Sequence, residues 1–299
     1  MAYQSTKLQQ PICITDIITI HYFEYMKHFH FPGEVHDFWE MLCVDKGEVE
    51  VQTDNHTYTL KGGEIIFHKP MEFHSIKALG ETAPNLIAIS FKSPSIQMSF
   101  FHHKRFTLNT VEKILISKVI SEAQSAFSTP LHIPAIEQVE RSDTALFGAE
   151  QLIKIHLEEL LILLIRKESR PVSPKYPMYS KTSKTKTFEA ITHYLEAHIC
   201  EVLTVETICN DNLISRSCLQ ALFHEKTDRG VIDYFHQLKI NLAKQLIREA
   251  NLNFTQIADF LSYSSIGHFS KQFKKFTNMS PSEYASSIKL LSEHTTKSF

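Results

Sequence analysis

The sequence is poor in glycine, and this scarcity excludes several classes of nucleotide-binding protein. Only 8 of the 299 residues are glycine, and neither GxGxxG nor GxxxxGK[ST] occurs in the sequence. Loops of those kinds cradle phosphate groups in dinucleotide-binding and ATP-binding folds. We therefore expect no ATP or NAD chemistry and predict no cofactor.

Long apolar runs and closely spaced cysteine pairs are also missing. The strongest apolar run, Leu160 to Ile165, is far shorter than the roughly 20 residues of a membrane-spanning helix. The first residues lack a basic stretch followed by an apolar one, so we expect no secretion signal, no membrane association and a cytoplasmic location. The 5 cysteines never form CxxC, which favours reduced packing residues over a zinc or disulfide framework.

The composition that remains is typical of a folded protein with two domains. Hydrophobic residues make up 43% and charged residues 21% of the chain. Residues 1–180 carry 17 Lys and Arg against 21 Asp and Glu, whereas residues 181–299 carry 14 against 12. This contrast is too small to indicate a nucleic-acid partner without a motif.

Residues 11–91 show the pattern of short β-strands separated by turns. Valine and glutamate alternate from Glu48 to Val51, and the segment is one of seven of this kind. Such a series is typical of an antiparallel sandwich or barrel. The side chains expected to face its interior are Val49, Val51, Tyr58 and Leu60. Pro32-Gly33 is predicted to form a turn at the barrel mouth, and the basic run His102–Arg105 a solvated loop.

Two amphipathic helices are predicted after the strands, at about residues 108–127 and 146–166. The second helix is apolar over more than one face, through Leu152, Ile153, Leu157, Leu160, Leu161, Leu164 and Ile165. A helix that is apolar on two sides requires two packing partners. We therefore expect it to pack on the strand domain and to contribute to a homodimer interface.

A linker and an all-α region follow. Residues 169–187 contain three prolines and many serine, threonine and lysine residues, which is typical of a linker. Beyond them, segments 203–224 and 254–275 share the pattern of helix, polar turn and helix. Ser215 is placed to cap the second helix of the first segment, and Phe269 anchors that of the second. One such unit could be a solvated surface, but its repetition favours DNA binding.

Residues 189–289 resemble the double helix-turn-helix DNA-binding domain of the AraC/XylS family of bacterial transcription regulators. The motif that carries the resemblance comprises Leu213, Ser215, Leu219, Phe223, Tyr234, Leu242, Ala243, Leu246, Ile257, Ala258, Tyr263, Phe269, Phe273, Lys274, Lys275, Met279, Ser280, Pro281 and Tyr284. In that family the second helix of each unit enters one of two successive major grooves. By this resemblance the DNA-binding residues are Arg216, Ser217, Gln220, Ala221, His224, Ser265, Ile266, Gly267, His268, Lys271, Lys274 and Lys275.

The sequence departs from the family pattern at several positions. The family usually has glycine where this chain has Asp228 and Ser262, arginine at Lys239 and a polar residue at Gly267. Aspartate and serine tolerate turn conformations less well than glycine, so the sequence leaves the geometry of these two turns open. The bare Gly267 predicts weak base readout in the second groove, where Lys271 and DNA shape would contribute more.

The strand region resembles the two motifs of the cupin barrel, through Glu34, His36, Glu40, Gly47, Gly63-Glu64, Pro70 and His74. A histidine usually stands in the cupin metal set where this chain has Glu34. Cupins joined to this DNA-binding domain resemble small-molecule sensors, so we predict an effector site without a metal, formed by Glu34, His36, Trp39, Glu40 and His74. Trp39 could stack on a sugar or pack in the core. Two alternatives stay open, namely that the polar residues hold Fe, Mn or Zn, or that they only stabilise the barrel.

These features predict an α+β protein of several domains. We expect a cupin-like effector β-barrel at 1–100, a helical dimerisation region at 101–168, the linker at 169–187 and the all-α double helix-turn-helix domain at 188–290. The predicted function is effector-responsive transcription regulation, with double-stranded DNA, a small molecule, RNA polymerase and a second copy of the chain as partners. No nucleophile and base are paired, so we assign no catalytic residue. The alternatives are a metal-dependent cupin enzyme fused to a DNA-binding domain and a ligand-independent regulator.

Overall fold

The computed structural model describes residues 3–168 and 183–294, and these form two compact units, one of residues 3–168 with 288–294 and one of residues 183–287. The first unit is built from antiparallel strands and two helices, and the second is helical. This confirms the predicted fold class. Within the described ranges, no helix is both long and apolar enough to cross a membrane.

The first unit contains two antiparallel sheets. Its strands are β1 (Asp16–Glu24), β2 (His30–Glu34), β3 (Trp39–Lys46), β4 (Glu48–Thr53), β5 (Thr57–Lys61), β6 (Glu64–His68), β7 (His74–Leu79), β8 (Asn85–Lys92) and β9 (Arg105–Thr107). One sheet has the order β1-β8-β3-β6-β9 and the other β2-β7-β4-β5. A 3₁₀ helix, Ile96–Phe101, precedes β9.

The larger sheet is buried on both faces, which explains the nearly continuous apolar sequence of β3. Successive side chains of a strand point to opposite faces. Met41 and Cys43 therefore face the core formed with the two helices, whereas Leu42 and Val44 face the other sheet. The predicted interior residues Val49, Val51 and Leu60 are fully buried in the core between the sheets, and Tyr58 packs at its margin.

Helices α1 (Thr110–Ala126) and α2 (Ala149–Glu168) pack on the outer face of the larger sheet. Asn109 begins α1 with a capping box, since its side chain accepts from the Glu112 amide and the Glu112 side chain accepts from the Asn109 amide. Five of the predicted apolar residues of α2, Ile153, Leu157, Leu160, Leu161 and Leu164, are buried against α1 and the sheet, whereas Leu152 is exposed. The second packing partner expected for α2 is therefore supplied largely within the same chain.

Two strands and one turn differ from the sequence prediction. Strands β2 and β9 are short edge strands that the alternation of residues does not reveal. Pro32-Gly33 lies inside β2, at an irregularity in its pairing with β7, rather than in a turn before a strand. Gly33 has a φ of 114°, and a Cβ there would lie 2.4 Å from Phe73 Cζ, so this position requires glycine.

The helices after the gap are α3 (Ser183–Ala197), α4 (Val205–Asp211), α5 (Arg216–Thr227), α6 (Val231–Glu249), α7 (Phe254–Phe260), α8 (Ile266–Thr277) and α9 (Pro281–His294). The second unit contains α3 to α8 and the part of α9 that ends at Ser287. Helix α3 begins inside the predicted linker, so residues 183–187 are helical rather than extended. The remaining predicted linker positions, 169–182, lie outside the described residues.

Helices α4–α5 and α7–α8 are two copies of one local structure. Ser215 and Ser265 occupy the N-caps of α5 and α8, and each side chain accepts from the backbone amide three residues later. The two helices end at Asp228 and Asn278, which both have left-handed backbone angles. These matched caps show that the sequence repeat is also a structural repeat.

Lys239 on α6 links the loop before α4 to the end of α7. Its ammonium is buried, with the residue only 4% exposed, and it donates to the Glu201 carbonyl at 2.7 Å and the Leu261 carbonyl at 2.7 Å. Leu261 ends α7, and the next residue, Ser262, has a φ of 54°. The neighbouring Ser262 hydroxyl donates to the Cys200 carbonyl. Both departures from the family pattern, Lys239 and Ser262, thus hold the turn of the second unit.

Candidate effector cavity and nucleic-acid interface

The first unit contains a cavity of about 660 Å³ between its two sheets. This volume suits a small molecule, because ligand pockets commonly measure about 300–1,000 Å³. Its aromatic and aliphatic lining consists of Ile18, Phe23, Tyr25, Phe29, Phe31, Phe38, Ile76, Leu86, Ala88, Ile133, Pro134, Ala135 and Ile136. Its polar lining consists of Thr19, His21, Glu34, Glu40, Ser90 and Glu137.

Four of the predicted effector residues form one polar cluster, comprising Glu34, His36, Glu40 and His74. His74 Nε2 lies 3.5 Å from Glu40 Oε1 and 3.8 Å from Glu34 Oε1. His36 Nε2 lies 3.7 Å from Glu40 Oε2. The cluster arises because Glu34 on β2 is paired with His74 on β7, while Glu40 projects from β3.

The two imidazoles of the polar cluster are oriented by the backbone. His36 Nδ1 is 3.0 Å from the Phe38 carbonyl, and His74 Nδ1 is 3.3 Å from the Glu72 carbonyl. These contacts favour the tautomer that carries hydrogen on Nδ1 and turns Nε2 toward the carboxylates. Both Nε2 atoms are buried without a hydrogen-bond partner among the described residues. A ligand or ion could therefore be bound there.

Burial and neighbouring charges shift the pKa values of the two carboxyl groups of the cluster in opposite directions. Burial alone would raise the pKa of Glu40, but His36 and His74 outweigh it and hold that pKa well below its usual range. The pKa of Glu34 is raised by burial and by the nearby charge of Glu40. Burial would lower the pKa of His74, but Glu40 outweighs burial and raises it. Glu40 is thus the negative centre of the cavity, and Glu34 takes up a proton more readily.

A segment between α1 and α2 covers part of the cavity, and we call Leu131–Glu137 the cover segment. The backbone holds it to β1, since the Tyr22 amide donates to the Leu131 carbonyl at 2.8 Å and the Val139 amide donates to the Ile18 carbonyl at 3.1 Å. His21 on β1 also lines the cavity, and burial lowers its pKa. The cover segment and His21 escaped the sequence prediction, because nothing local relates residues 131–137 to a cavity in the barrel.

Trp39 is absent from the cavity lining, as are His36 and His74 of the polar cluster, so the prediction that Trp39 binds an effector has no support from the cavity. The indole is 8% exposed and packs in the core formed with α1 and α2. Trp39 and Glu40 are neighbours on β3, so their side chains point to opposite faces of the sheet. The aromatic neighbour that lines the cavity is Phe38.

The first of the two expected DNA-binding surfaces lies on α5. Arg216, Ser217, Ala221 and His224 are exposed, whereas Gln220 is partly buried. Leu219, Leu222 and Phe223 are buried on the opposite side of the helix. Arg216 Nη1 forms a 2.9 Å ion pair with Glu206 Oε1, and both side chains remain largely exposed.

The second surface, on α8, has more lysine. Its predicted residues Ser265, Ile266, Gly267, His268, Lys271, Lys274 and Lys275 are all exposed. Phe269 and Phe273 anchor the helix from the buried side. Lys275 Nζ lies 3.1 Å from Asp233 Oδ1 on α6. Exposed ion pairs of this kind contribute only about 0–1 kcal/mol, so Lys275 can exchange its partner for a phosphate.

Comparison with known proteins assigns a known domain to the region of the cavity and another to the region of the two surfaces. Residues 18–100 match the model of an AraC-like ligand binding domain, and residues 208–287 match that of a helix-turn-helix domain. The chain belongs to the AraC/XylS family of transcription regulators. The family's ligand-binding domain coincides with the strands around the cavity, and its DNA-binding domain with the two matched helix pairs.

Individual family members are only distantly similar. The chain is 24% identical over 279 residues to the uncharacterized HTH-type transcriptional regulator YfiF of Bacillus subtilis (strain 168), covering 90% of this chain and 84% of that protein. It is 29% identical over 92 residues to the xylose operon regulatory protein of Escherichia coli (strain K12), spanning 31% of this chain but only 24% of that relative. The crystal structure of ToxT from Vibrio cholerae O395 aligns over 90% of this chain and 96% of ToxT, at 16% identity and a TM-score of 0.34.

Proposed function

We propose that this family member is an effector-responsive regulator that inserts α5 and α8 into two successive major grooves of its operator. The observation that carries the proposal is the pair of recognition helices α5 and α8. Both have a serine N-cap, a buried aromatic side and an exposed polar side. A helix with these properties fits the major groove, and two in series fit adjacent turns of DNA.

The two recognition helices would make different contacts. Arg216 can form a bidentate contact with guanine, and Ser217 can hydrogen-bond to either type of base pair. Lys271, Lys274 and Lys275 would bind mainly phosphates and would make affinity depend on salt. Base recognition would therefore come chiefly from the first unit.

The cavity supports an amphipathic effector. Its wall is largely aromatic and aliphatic, and its polar end carries the ionised Glu40. Such a site favours a molecule with an apolar body and a hydroxyl or ammonium group that donates to Glu40. A sugar stays a candidate, because relatives include xylose and raffinose operon regulators, but it would stack on Phe38 rather than on Trp39.

The remaining partners follow from a regulatory role. The proposal includes RNA polymerase as a partner. It also includes the cytoplasm as the location, because bacterial DNA is accessible there. A homodimer is part of it as well, for which exposed apolar residues remain on both helices: Val111 and Ile114 on α1 and Leu152 and Ile155 on α2. Sedimentation of the full chain would detect the dimer, and the paired change Ile114→Glu with Ile155→Glu should yield a monomer.

Selection of bound DNA from a random duplex library with the full chain tests the DNA-binding proposal. The expected product has two preferred blocks about 10 base pairs apart, protected on one face of the duplex. A library without enriched blocks, or protection without phase, would contradict the assignment of α5 and α8.

A thermal-shift screen of small molecules tests the effector proposal. A true effector should raise the melting temperature of the wild type and of Glu81→Gln, an exposed control. It should have much less effect on Glu40→Gln, which keeps the shape but not the charge. It should also change affinity for the selected operator, because coupling requires different affinities for two states. A ligand that stabilises Glu40→Gln equally would exclude this cavity.

A second candidate function, metal binding by the polar cluster, is favoured by one specific observation. Three pairs of donor atoms in the cluster lie 3.5–3.8 Å apart. Ligands of a tetrahedral ion at about 2.1 Å are about 3.4 Å apart. Glu34, His36, Glu40 and His74 could hold such an ion, with backbone carbonyls orienting the imidazoles. Metal analysis of the purified chain, with His36→Ala as comparison, distinguishes a resident ion from an organic effector.

A further inference from the structure

A second group of metal-ligating side chains adjoins the polar cluster, because His74 Nδ1 is 3.3 Å from the Glu72 carbonyl and the His74 ring stacks on that of His68. Glu72, in the turn between β6 and β7, meets His102 and His103, in the turn before β9. The ligand atoms that these three residues offer all lie within 4.8 Å of one another. We call this group the Glu72 cluster. It shares no residue with the polar cluster.

Glu72 is a buried carboxylate surrounded by imidazoles. The residue is 3% exposed. Its Oε1 lies 3.5 Å from His102 Nε2, its Oε2 lies 3.6 Å from His68 Nδ1, and the Lys69 amide donates to Oε2 at 3.3 Å. Burying a carboxylate is costly unless a positive charge or several donors compensate it. A cation bound between Glu72 and the histidines would provide that compensation.

The two histidines are presented together by an unusual backbone. His103 has a φ of 58°, which is uncommon for a residue other than glycine. The ring centroids of His102 and His103 lie 3.5 Å apart. The Nε2 atom of His102 is buried and has no hydrogen-bond partner within the described part of the chain. This atom is thus directed at Glu72 and available to a ligand.

Other polar groups stand around the cluster. The Tyr58 hydroxyl is 3.4 Å from His103 Nδ1, so Nε2 is the nitrogen of that ring that stays open to an ion. The ring of His56 lies 4.4 Å from that of His103, centroid to centroid. His103 and His56 are exposed. An ion could therefore reach the cluster from solvent and keep one position for water or a fourth side chain.

We propose that Glu72, His102 and His103 bind a divalent transition metal ion of the zinc class. Two imidazoles and one carboxylate are the three protein ligands of many open zinc sites. The 3.5 Å between His102 Nε2 and Glu72 Oε1 matches the separation of about 3.4 Å between ligands of a tetrahedral ion bound at about 2.1 Å. Imidazole nitrogen also selects zinc, copper or nickel over calcium and magnesium.

Zinc titration of the metal-free full chain, in competition with a chromophoric chelator, tests the proposal. The titration is done in the wild type and in His36→Ala with His74→Ala, so that binding at the polar cluster is counted separately. In both backgrounds, adding His102→Ala with His103→Ala should abolish one bound equivalent or weaken it at least about tenfold. The control is His28→Ala with His193→Ala, which removes two exposed histidines elsewhere and should change neither stoichiometry nor affinity.

Two further measurements keep the proposal open to refutation if a variant is unstable. The single change Glu72→Gln preserves shape and should also weaken zinc binding at least about tenfold. In the wild type, nitrogen NMR of the imidazoles should show zinc-dependent shifts at His102 and His103 at one equivalent. Unchanged zinc binding in Glu72→Gln and in the double alanine variant, or shifts confined to His36 and His74, would overturn the assignment.

Discussion

The first and second helix-turn-helix units have the same backbone structure but differ in the charge of their exposed residues. With an offset of 50 residues, Arg216 corresponds to Ile266, Ser217 to Gly267, and Glu225 to Lys275. Helix α5 carries Arg216 and Lys226 against Glu225, whereas α8 carries Lys271, Lys274 and Lys275 and no acid. The comparison teaches that the caps and the buried aromatic side maintain the helix pair, while exposed positions are free to specialise.

The difference in charge suggests a division of labour. A Cβ placed on Gly267 would have only the Ser265 hydroxyl within 4 Å, at 3.8 Å, so no neighbour demands glycine there. In our proposal the second unit therefore has no side chain at Gly267 that could reach bases, and its three lysines would bind phosphates. The first unit keeps the groups that can discriminate between base pairs.

The largest effect is expected from Lys239, which links the loop before α4 to the end of α7. Lys239→Met should lower the free energy of unfolding by about 3 kcal/mol, because it removes a buried donor from two carbonyls. Urea denaturation of the full chain measures the loss. Lys239→Arg, which restores the residue usual in the family, should lose much less. A Lys239→Met variant as stable as the wild type would show that the helical unit does not depend on this contact.

The next effect separates recognition of bases from attraction to phosphates. Arg216→Ala should weaken binding to the selected operator by about 1–3 kcal/mol and relax preference at one or two base pairs. Gln220→Ala should do less, because Gln220 is partly buried. Binding to operator variants changed at single positions measures both. Equal losses on every variant would mean that Arg216 contacts only phosphate.

A smaller and uniform effect is expected in the second unit. Lys271→Ala or Lys275→Ala should weaken binding to all sequences alike and lower the slope of log affinity against log salt by about one. Binding isotherms at several salt concentrations provide the slope. Lys118→Ala, an exposed lysine on α1, is the matched control. A sequence-dependent loss for Lys271→Ala would reverse the division of labour between the units.

The smallest effect concerns the ends of the recognition helices. Asp228 and Asn278 have equivalent left-handed conformations, but Asp228 places a negative charge at a helix C-terminus. Asp228→Asn should therefore raise the free energy of unfolding by about 0.5 kcal/mol, and Asn278→Asp should lower it by a similar amount. Thermal unfolding at low salt measures the two changes. Shifts of the same sign would contradict the helix-dipole explanation.

Sequence patterns were sufficient where the pattern is local and repeated. Seven strands, both helix-turn-helix units and the serine cap Ser215 follow from alternation, periodicity and capping chemistry. The equivalent cap, Ser265, was not predicted. Four of the effector residues also come together, because Glu34 and His74 pair across strands and Glu40 faces them. The predicted roles of these residues in binding stay predictions.

The remaining features depend on relationships that no short window contains. The face occupied by Trp39 could be assigned only once β3 was known to be buried on both sides. The cover segment lines the cavity and bonds to β1, although the two are more than a hundred residues apart in sequence. The Glu72 cluster joins two turns about thirty residues apart, and His102 and His103 gave no signal beyond a basic run.

The base of the loop that carries the cover segment is closed by backbone pairing. Phe127 forms a bridge with Arg141, and the Ser128 and Ser142 amides donate across the same junction at 2.9 Å. Opening of the loop would therefore require its two backbone hydrogen bonds to β1 to break, but not the unwinding of α1 or α2. The residence time of a ligand in the barrel would then depend on how often this loop opens. Mutations in the loop could change that residence time without destabilising the fold.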